Sequence, residues 1–137
     1  MGKVKYNSES MELMTLFESM SGAKVKDCID NDKLIFIVEE NEMGKAIGKS
    51  GANIKRMENA VRKKIRLVEF SNDIAQFVRN LIYPAEALDI KEEEGIVTIH
   101  GKDTSARAML IGRERQNINH INCIAKRYFD IKDIKVV

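Results

Sequence analysis

The chain has 137 residues, of which 44% are hydrophobic and 32% are charged, and its net charge is +2. This composition excludes a disordered chain and a uniform polycation, and the longest apolar run, at 34–38, is far shorter than the roughly 20 residues of a membrane helix. The N-terminus is polar and lacks the apolar stretch of a signal peptide, so we expect a cytoplasmic protein with no membrane partner.

The first half of the chain shows one helix, two strands, two further helices and a strand. Asn7 or Ser8 can cap the first helix, and Ser21 with Gly22 ends it. Turn-forming residues at 30–32 join the first two strands. The signals in chain order are apolar Leu13, Leu16, Phe17 and Met20 at helical spacing, strands near 24–29 and 33–39, a helical turn from about 41 to Gly48, a helix with Ile54, Met57, Val61 and Ile65 on one face, and a strand at 65–70.

The second half repeats this order. Pro84 stops its first helix, and a turn at 93–95 joins its first two strands. The signals in chain order are the apolar stripe Ile74, Phe77, Val78, Leu81 and Ile82, strands near 85–91 and 96–101, a short helix up to Gly112, a helix with Ile118, Ile121, Ala125 and Tyr128, and a strand at 131–136. The predicted fold class is α+β, with two units at 1–70 and 71–137, each helix-strand-strand-helix-helix-strand. The short junction between them predicts a fixed mutual orientation.

An internal repeat with an offset of 64 residues relates the two halves. Residues 46–54 align with residues 110–118, and the same offset pairs Met57 with Ile121 and Ile65 with Phe129. The repeat therefore spans nearly the whole chain.

A Gly-x-x-Gly turn between two helices is the candidate functional element. Glycines let the backbone approach a ligand at positive φ, and the following helix directs free N–H groups and a positive dipole end at the same place, which favours an anion. The segment 45–66 carries eight cations against the single acid Glu58, the pattern expected for an anionic polymer partner. The candidate binding residues of this half are Ile47, Gly48, Lys49, Ser50, Gly51, Ile54, Lys55 and Arg56.

The segment 46–55, with the letters AIGKSGANIK, resembles the signature of a KH domain, whose GxxG loop clamps four nucleotides of a single strand. The order of elements resembles the type II KH arrangement, and the paired units resemble the tandem KH region of NusA transcription factors, particularly the short archaeal NusA-like proteins. The resemblance implies binding of single-stranded RNA, coupled to transcription elongation or termination. It implies RNA polymerase or a transcript complex as a further partner, no enzymatic activity and no cofactor.

By position, the second unit supplies Gly112, Arg113, Glu114 and Arg115 as its loop, with Asn117 as a further RNA-binding candidate. Arg115 stands where the second glycine is expected. If that position needs positive φ, arginine bears a steric cost that glycine does not. The sequence leaves two alternatives open: the second unit binds RNA in a modified way, or it serves mainly as a structural partner.

The sequence offers two rival functions. A P-loop nucleotidase would need its first glycine at position 43, which is Met43, while Gly44 comes one residue too late. An adaptor in RNA processing or at the ribosome would use the same loop, and the sequence does not separate it from a transcription factor. Cys28 and Cys123, predicted to be reduced and at least half-buried, form no CxxC pair, and we predict no metal site.

Overall fold

The computed structural model describes residues 8–30 and 33–137. The chain divides into two compact units between Ser71 and Asn72. Each unit contains a three-stranded sheet and helices in the predicted order, so the α+β fold class is confirmed. None of the helices in the described residues has both the length and the apolar character needed to span a bilayer.

In the first unit, the central strand of the sheet is the most buried element. The sheet order is β1-β2-β3, with β1 antiparallel and β3 parallel to β2. Every residue of β2 is buried, as its unbroken apolar sequence predicts. The elements in chain order are α1 (Ser8–Ser21), β1 (Val25–Asp30), β2 (Leu34–Val38), α2 (Met43–Ile47), a 3-10 turn (Lys49–Gly51), α3 (Ala52–Val61) and β3 (Ile65–Glu69).

The core of this unit joins the helices to one face of the sheet. Phe17 of α1 lies on Phe36 of β2 with ring centroids 4.7 Å apart, and Met57 of α3 is fully buried beside them. At the end of α1, Gly22 has a φ of 76° and donates its N–H to Glu18 O at 2.8 Å, which confirms the predicted stop. The predicted cap Asn7 and the turn residues 31 and 32 lie outside the described residues.

The second unit has the same topology, with sheet order β4-β5-β6. Along β5, buried Val97 and Ile99 alternate with half-buried residues, so one face of this sheet carries the core. Phe77 packs against Tyr128 with ring centroids 5.6 Å apart. The predicted helix face is confirmed, since Ile118, Ile121, Ala125 and Tyr128 are all buried. The elements in chain order are α4 (Ile74–Ile82), β4 (Ala87–Glu93), β5 (Ile96–Gly101), α5 (Thr104–Ile111), a 3-10 turn (Arg113–Arg115), α6 (Gln116–Lys126) and β6 (Asp133–Val136).

The constant offset of 64 residues is wrong in the strands, although it still relates buried helix residues such as Phe17 and Leu81. The β-bulges of the two sheets place Leu34 at the same position as Val97. Leu34 pairs with Ile65 and Val97 pairs with Ile134, so the offset is 63 at the central strand and 69 at the last. A longer connection after α6 causes the difference. Phe129 therefore does not match Ile65 in a strand, and the last strand begins later than predicted.

Two smaller predictions also needed correction. The strand predicted at 85–91 runs from Ala87 to Glu93, because Ala85 N–H is bonded to Ile82 O and the turn after α4 extends further. Cys28 is buried, but Cys123 is exposed because it lies on the outer side of α6.

Candidate nucleic-acid interface

The first loop turns the chain between α2 and α3 with three residues at positive φ. Gly48 has φ 76° and ψ 172°, Ser50 has φ 55° and ψ 29°, and Gly51 has φ 75° and ψ 16°. The Gly48 conformation is essentially restricted to glycine, and the Gly51 conformation is left-handed. Gly51 N–H donates to Gly48 O at 3.2 Å and closes the turn. Ala52 N–H is likewise bonded, to Lys49 O. The N-terminus of α3, whose positive dipole end favours an anion, therefore follows directly on the loop.

A side-chain contact that sequence reasoning missed holds this loop in place. Asn53 Nδ2 donates to Lys45 O at 2.8 Å and so ties the start of α3 to α2. The amide lies so close to Gly48 that a Cβ there would meet Asn53 Nδ2 at 2.7 Å. The first glycine is thus required by this contact, which we call the Asn53 clasp, as well as by its φ. The available signal was an asparagine five residues after the first loop glycine in both halves of the chain.

The second loop has the same backbone conformation in spite of its altered sequence. Gly112 has φ 76° and ψ 170°, Glu114 has φ 53° and ψ 32°, and Arg115 has φ 62° and ψ 20°. The position of the second glycine does need positive φ, and Arg115 adopts it. Two successive non-glycine residues in the left-handed region cost about 1–2 kcal/mol each. The second loop is therefore a loop of the same shape, held at a higher conformational cost.

The clasp is also repeated in the second unit. Asn117 Nδ2 donates to Met109 O at 2.7 Å, and a Cβ on Gly112 would meet Asn117 Cγ at 2.7 Å. Asn117 was predicted to bind RNA, but the structure uses its amide to position the loop. Direct contact of Asn117 with RNA stays a prediction.

The residues predicted around the first loop form a cationic surface beside an apolar edge. Lys49, Lys55 and Arg56 are exposed, and the structure records no ion pair for them among the residues it describes. Ile47 is 37% exposed and Ile54 is half-buried, so an apolar surface is accessible on either side of the loop. The arrangement can hold a phosphate at the loop and a base against an isoleucine.

Lys45, which lies in α2 just before the loop, is partly neutralised by Glu42. The backbone N–H of Lys24, 2.8 Å from Glu42 Oε1, and the nearby Lys45 together lower the pKa of Glu42. The carboxylate therefore stays ionised, with Lys45 Nζ 3.5 Å from its Oε2. Charge available for a ligand is concentrated at the loop tip and the first turns of α3.

The second loop carries much less positive charge than the first. Residues 45–56 contain four cations and no acid, whereas residues 109–120 contain two cations, at Arg113 and Arg115, and the acid Glu114. The positions of the other cations are occupied by neutral residues. Lys45, Lys55 and Arg56 correspond to Met109, Asn119 and His120. The two loops thus share a shape and differ in their electrostatics.

The surroundings of the first loop do not match a nucleotide-binding P-loop. That motif places a glycine-rich loop directly between a strand and a helix, with backbone N–H groups around the phosphates. Here α2 separates β2 from the loop, and Gly44, the only glycine close to the required position, lies inside α2 with a helical backbone. The geometry therefore favours a binding loop over a phosphate-hydrolysing one.

Comparisons with known proteins show the family of this chain. The family model described as KH domain matches residues 14–74, which include the first loop. A protein of Methanococcus vannielii named "Probable transcription termination protein NusA" is 37% identical over 98% of this chain and 80% of its own length. Proteins of the same name from Methanocaldococcus jannaschii and Halococcus morrhuae are each 31% identical, over 100% and 98% of this chain and 77% and 99% of their own lengths.

A solved structure titled "Crystal structure of APE1850" has 28% sequence identity and a TM-score of 0.76, and the match covers 96% of this chain and 100% of that one. The likeness to the archaeal relatives extends over both units and includes both loops. The chain belongs to the NusA family, and its first unit contains a KH domain.

Proposed function

We propose that this protein binds single-stranded RNA through its two KH-type units, without catalysis, and that the first loop is the main RNA-binding site. The observation that carries the proposal is the loop Gly48–Gly51, held open by the Asn53 clasp and surrounded by exposed Lys49, Lys55 and Arg56. Such a loop at the start of a helix combines the positive end of the helix dipole with exposed cations.

In this mechanism, a phosphate of the strand lies at the N-terminus of α3 and Lys49 neutralises it. The neighbouring nucleotides then run past Lys55 and Arg56, and their bases lie against Ile47 and Ile54. Stacking contributes little, because aromatic residues make up only 6% of the chain. Affinity comes mainly from phosphate contacts, so three such contacts predict a slope of about −2 in log K against log salt.

The biological setting is inferred from the relatives, which are named as probable transcription termination proteins. We infer that the RNA is a nascent transcript and that RNA polymerase or a transcript complex is a further partner. Co-purification with polymerase would support this setting. Co-purification with ribosomal subunits alone would instead support an adaptor role.

Fluorescence anisotropy with short single-stranded RNAs tests whether the first loop is the main RNA-binding site. The variant Lys49→Asp/Ser50→Asp should lose at least tenfold in affinity at low salt, because two negative charges replace one cation and one hydroxyl at the loop tip. Circular dichroism verifies that it remains folded. Lys102→Asp/Ser105→Asp is the matched control, since it makes the same change of charge at exposed positions outside both loops. Equal affinities for the two variants would show that the first loop is not the site.

A further inference from the structure

Glu114 is the feature that most distinguishes the second loop from the first. It occupies the position of Ser50, with φ and ψ within a few degrees of that serine. Its side chain is exposed, and among the residues that the structure describes it makes no hydrogen bond or ion pair. Glu114 therefore has no structural role that accounts for a carboxylate at the loop tip.

The rest of the second loop keeps what an anion site needs. Gly112 retains the glycine-only conformation, the amide of Asn117 retains its bond to Met109 O, and Arg115 takes the left-handed conformation of the missing glycine. Arg115 N–H still closes the turn on Gly112 O, at 3.1 Å, as Gly51 does in the first loop. Gln116 N–H is bonded to Arg113 O as Ala52 N–H is to Lys49 O, and the N-terminus of α6 consequently follows the loop as that of α3 does.

The charges around Glu114 oppose one another. Arg113 and Arg115 attract a phosphate, and Glu114, between them in the chain, repels it. We propose that Glu114 is a specificity-determining residue that weakens phosphate binding at the second loop, so that the second unit engages only RNA that the first unit already holds. The proposal rests on the proposed RNA-binding function and adds a division of roles between the units.

A weak second binding site makes a two-unit protein sensitive to the length of the RNA. RNA tethered at the first loop is presented to the second at an effective concentration that can reach the order of millimolar. A site with a millimolar dissociation constant is then substantially occupied by long RNA and hardly occupied by short RNA. Glu114 thereby favours RNAs that have enough unpaired length to reach both units.

The experiment uses the full chain with the first loop disabled by Lys49→Asp/Ser50→Asp, and measures anisotropy on a short single-stranded RNA. Adding Glu114→Ser, which restores the residue of the first loop, should tighten the remaining binding about three- to tenfold at low salt. The gain should shrink at high salt, because screening weakens the repulsion that has been removed. Glu114→Gln, which keeps the size of the side chain, should give a similar gain.

Glu94→Ser is the matched control. Glu94 is also an exposed glutamate in the second unit with a positive φ, 51°, but it lies in the β4–β5 turn outside the loop. If Glu114→Ser and Glu114→Gln raise the RNA affinity no more than this control does, while the intact protein binds RNA, the proposal is overturned. The surface of the second loop then becomes a candidate for contact with another protein. If the intact protein binds no RNA, the proposed function and this inference fall together.

Discussion

Replacing Gly48 with alanine should disable the first loop by steric means alone. The new Cβ would lie 2.7 Å from Asn53 Nδ2 and 3.0 Å from the backbone N of Asn53. Alanine would also have to adopt φ 76° with ψ 172°, a conformation that costs about 1–3 kcal/mol for a residue other than glycine. Displacement of the asparagine breaks its bond to Lys45 O, a loss of about 0.5–1.5 kcal/mol.

The expected destabilisation of the first unit by Gly48→Ala is therefore about 1.5–4.5 kcal/mol, a large fraction of the 5–15 kcal/mol typical of a domain. Urea unfolding followed by circular dichroism measures it, and the same samples are tested for RNA affinity by anisotropy. The loss of RNA affinity should be at least tenfold even where the variant remains folded, because a displaced loop no longer holds Lys49 and the N-terminus of α3 in the proposed phosphate-binding arrangement.

Gly44→Ala provides the matched control four residues away. Gly44 lies in α2 with an ordinary helical backbone, and nothing lies within 4 Å of the Cβ that alanine would add. Alanine there should stabilise the unit by about 0.5–1 kcal/mol and leave RNA binding unchanged. If Gly48→Ala is as stable as Gly44→Ala, the contact between Gly48 and the Asn53 clasp does not constrain the loop.

Three further predictions concern the rest of the chain. Arg115→Gly should leave the free energy of unfolding of the second unit in urea unchanged or raise it by up to about 1 kcal/mol, since glycine adopts φ 62° without strain. A clear decrease in that free energy would mean that arginine is not strained there. Glu58→Ala should cost about 1–2 kcal/mol in thermal unfolding, because Glu58 Oε2 accepts from Ile65 N–H at 2.9 Å where β3 begins, and Glu58→Gln, which keeps an acceptor, should cost less. Cys123 should react with a thiol reagent in the folded protein while Cys28 does not, since burial and then Asp27 raise the pKa of Cys28 from 9.0 to about 12. The Cys28 thiol ionises at a lower pH in the unfolded chain than in the folded protein, so the stability of the fold should decrease as the pH rises from 9.0 to about 12. Cys28→Ser should reduce that decrease, and an unchanged alkaline stability profile in this variant would contradict the prediction.

The order of the elements could be predicted because it depends on neighbours in the sequence. Apolar residues such as Phe77 and Leu81 recur at helical spacing, and Gly22 and Pro84 end helices through their own backbone chemistry. The strand register could not be predicted in this way. The pairing of Ile96 with Asp133 depends on how far the connection after α6 runs before the chain returns to the sheet, and no local signal sets that length.

The candidate site was predicted in part. Gly48, Gly51 and the cations around them follow from the motif and its repeat, and the structure brings them to one loop. The role of Asn53 was missed because its partner is a main-chain carbonyl eight residues away, at Lys45, which comes within reach only when α2 and α3 pack. The positioning role of Asn117 was missed for the same reason. The sequence pattern predicted that Asn117 binds RNA, whereas in the structure its amide holds the second loop in place.

The sequence by itself determined the α+β class, the repeated order of elements, the position of both loops and the excess of positive charge at the first. All of these are local or compositional properties, set by residue periodicity, glycine and the count of charges. Only the tertiary structure decided that the second loop keeps the shape of the first, with Glu114 and Arg115 held at positive φ. A short segment with that sequence would avoid the left-handed region, and the packing of α5 against α6, fixed by Asn117, offsets that preference.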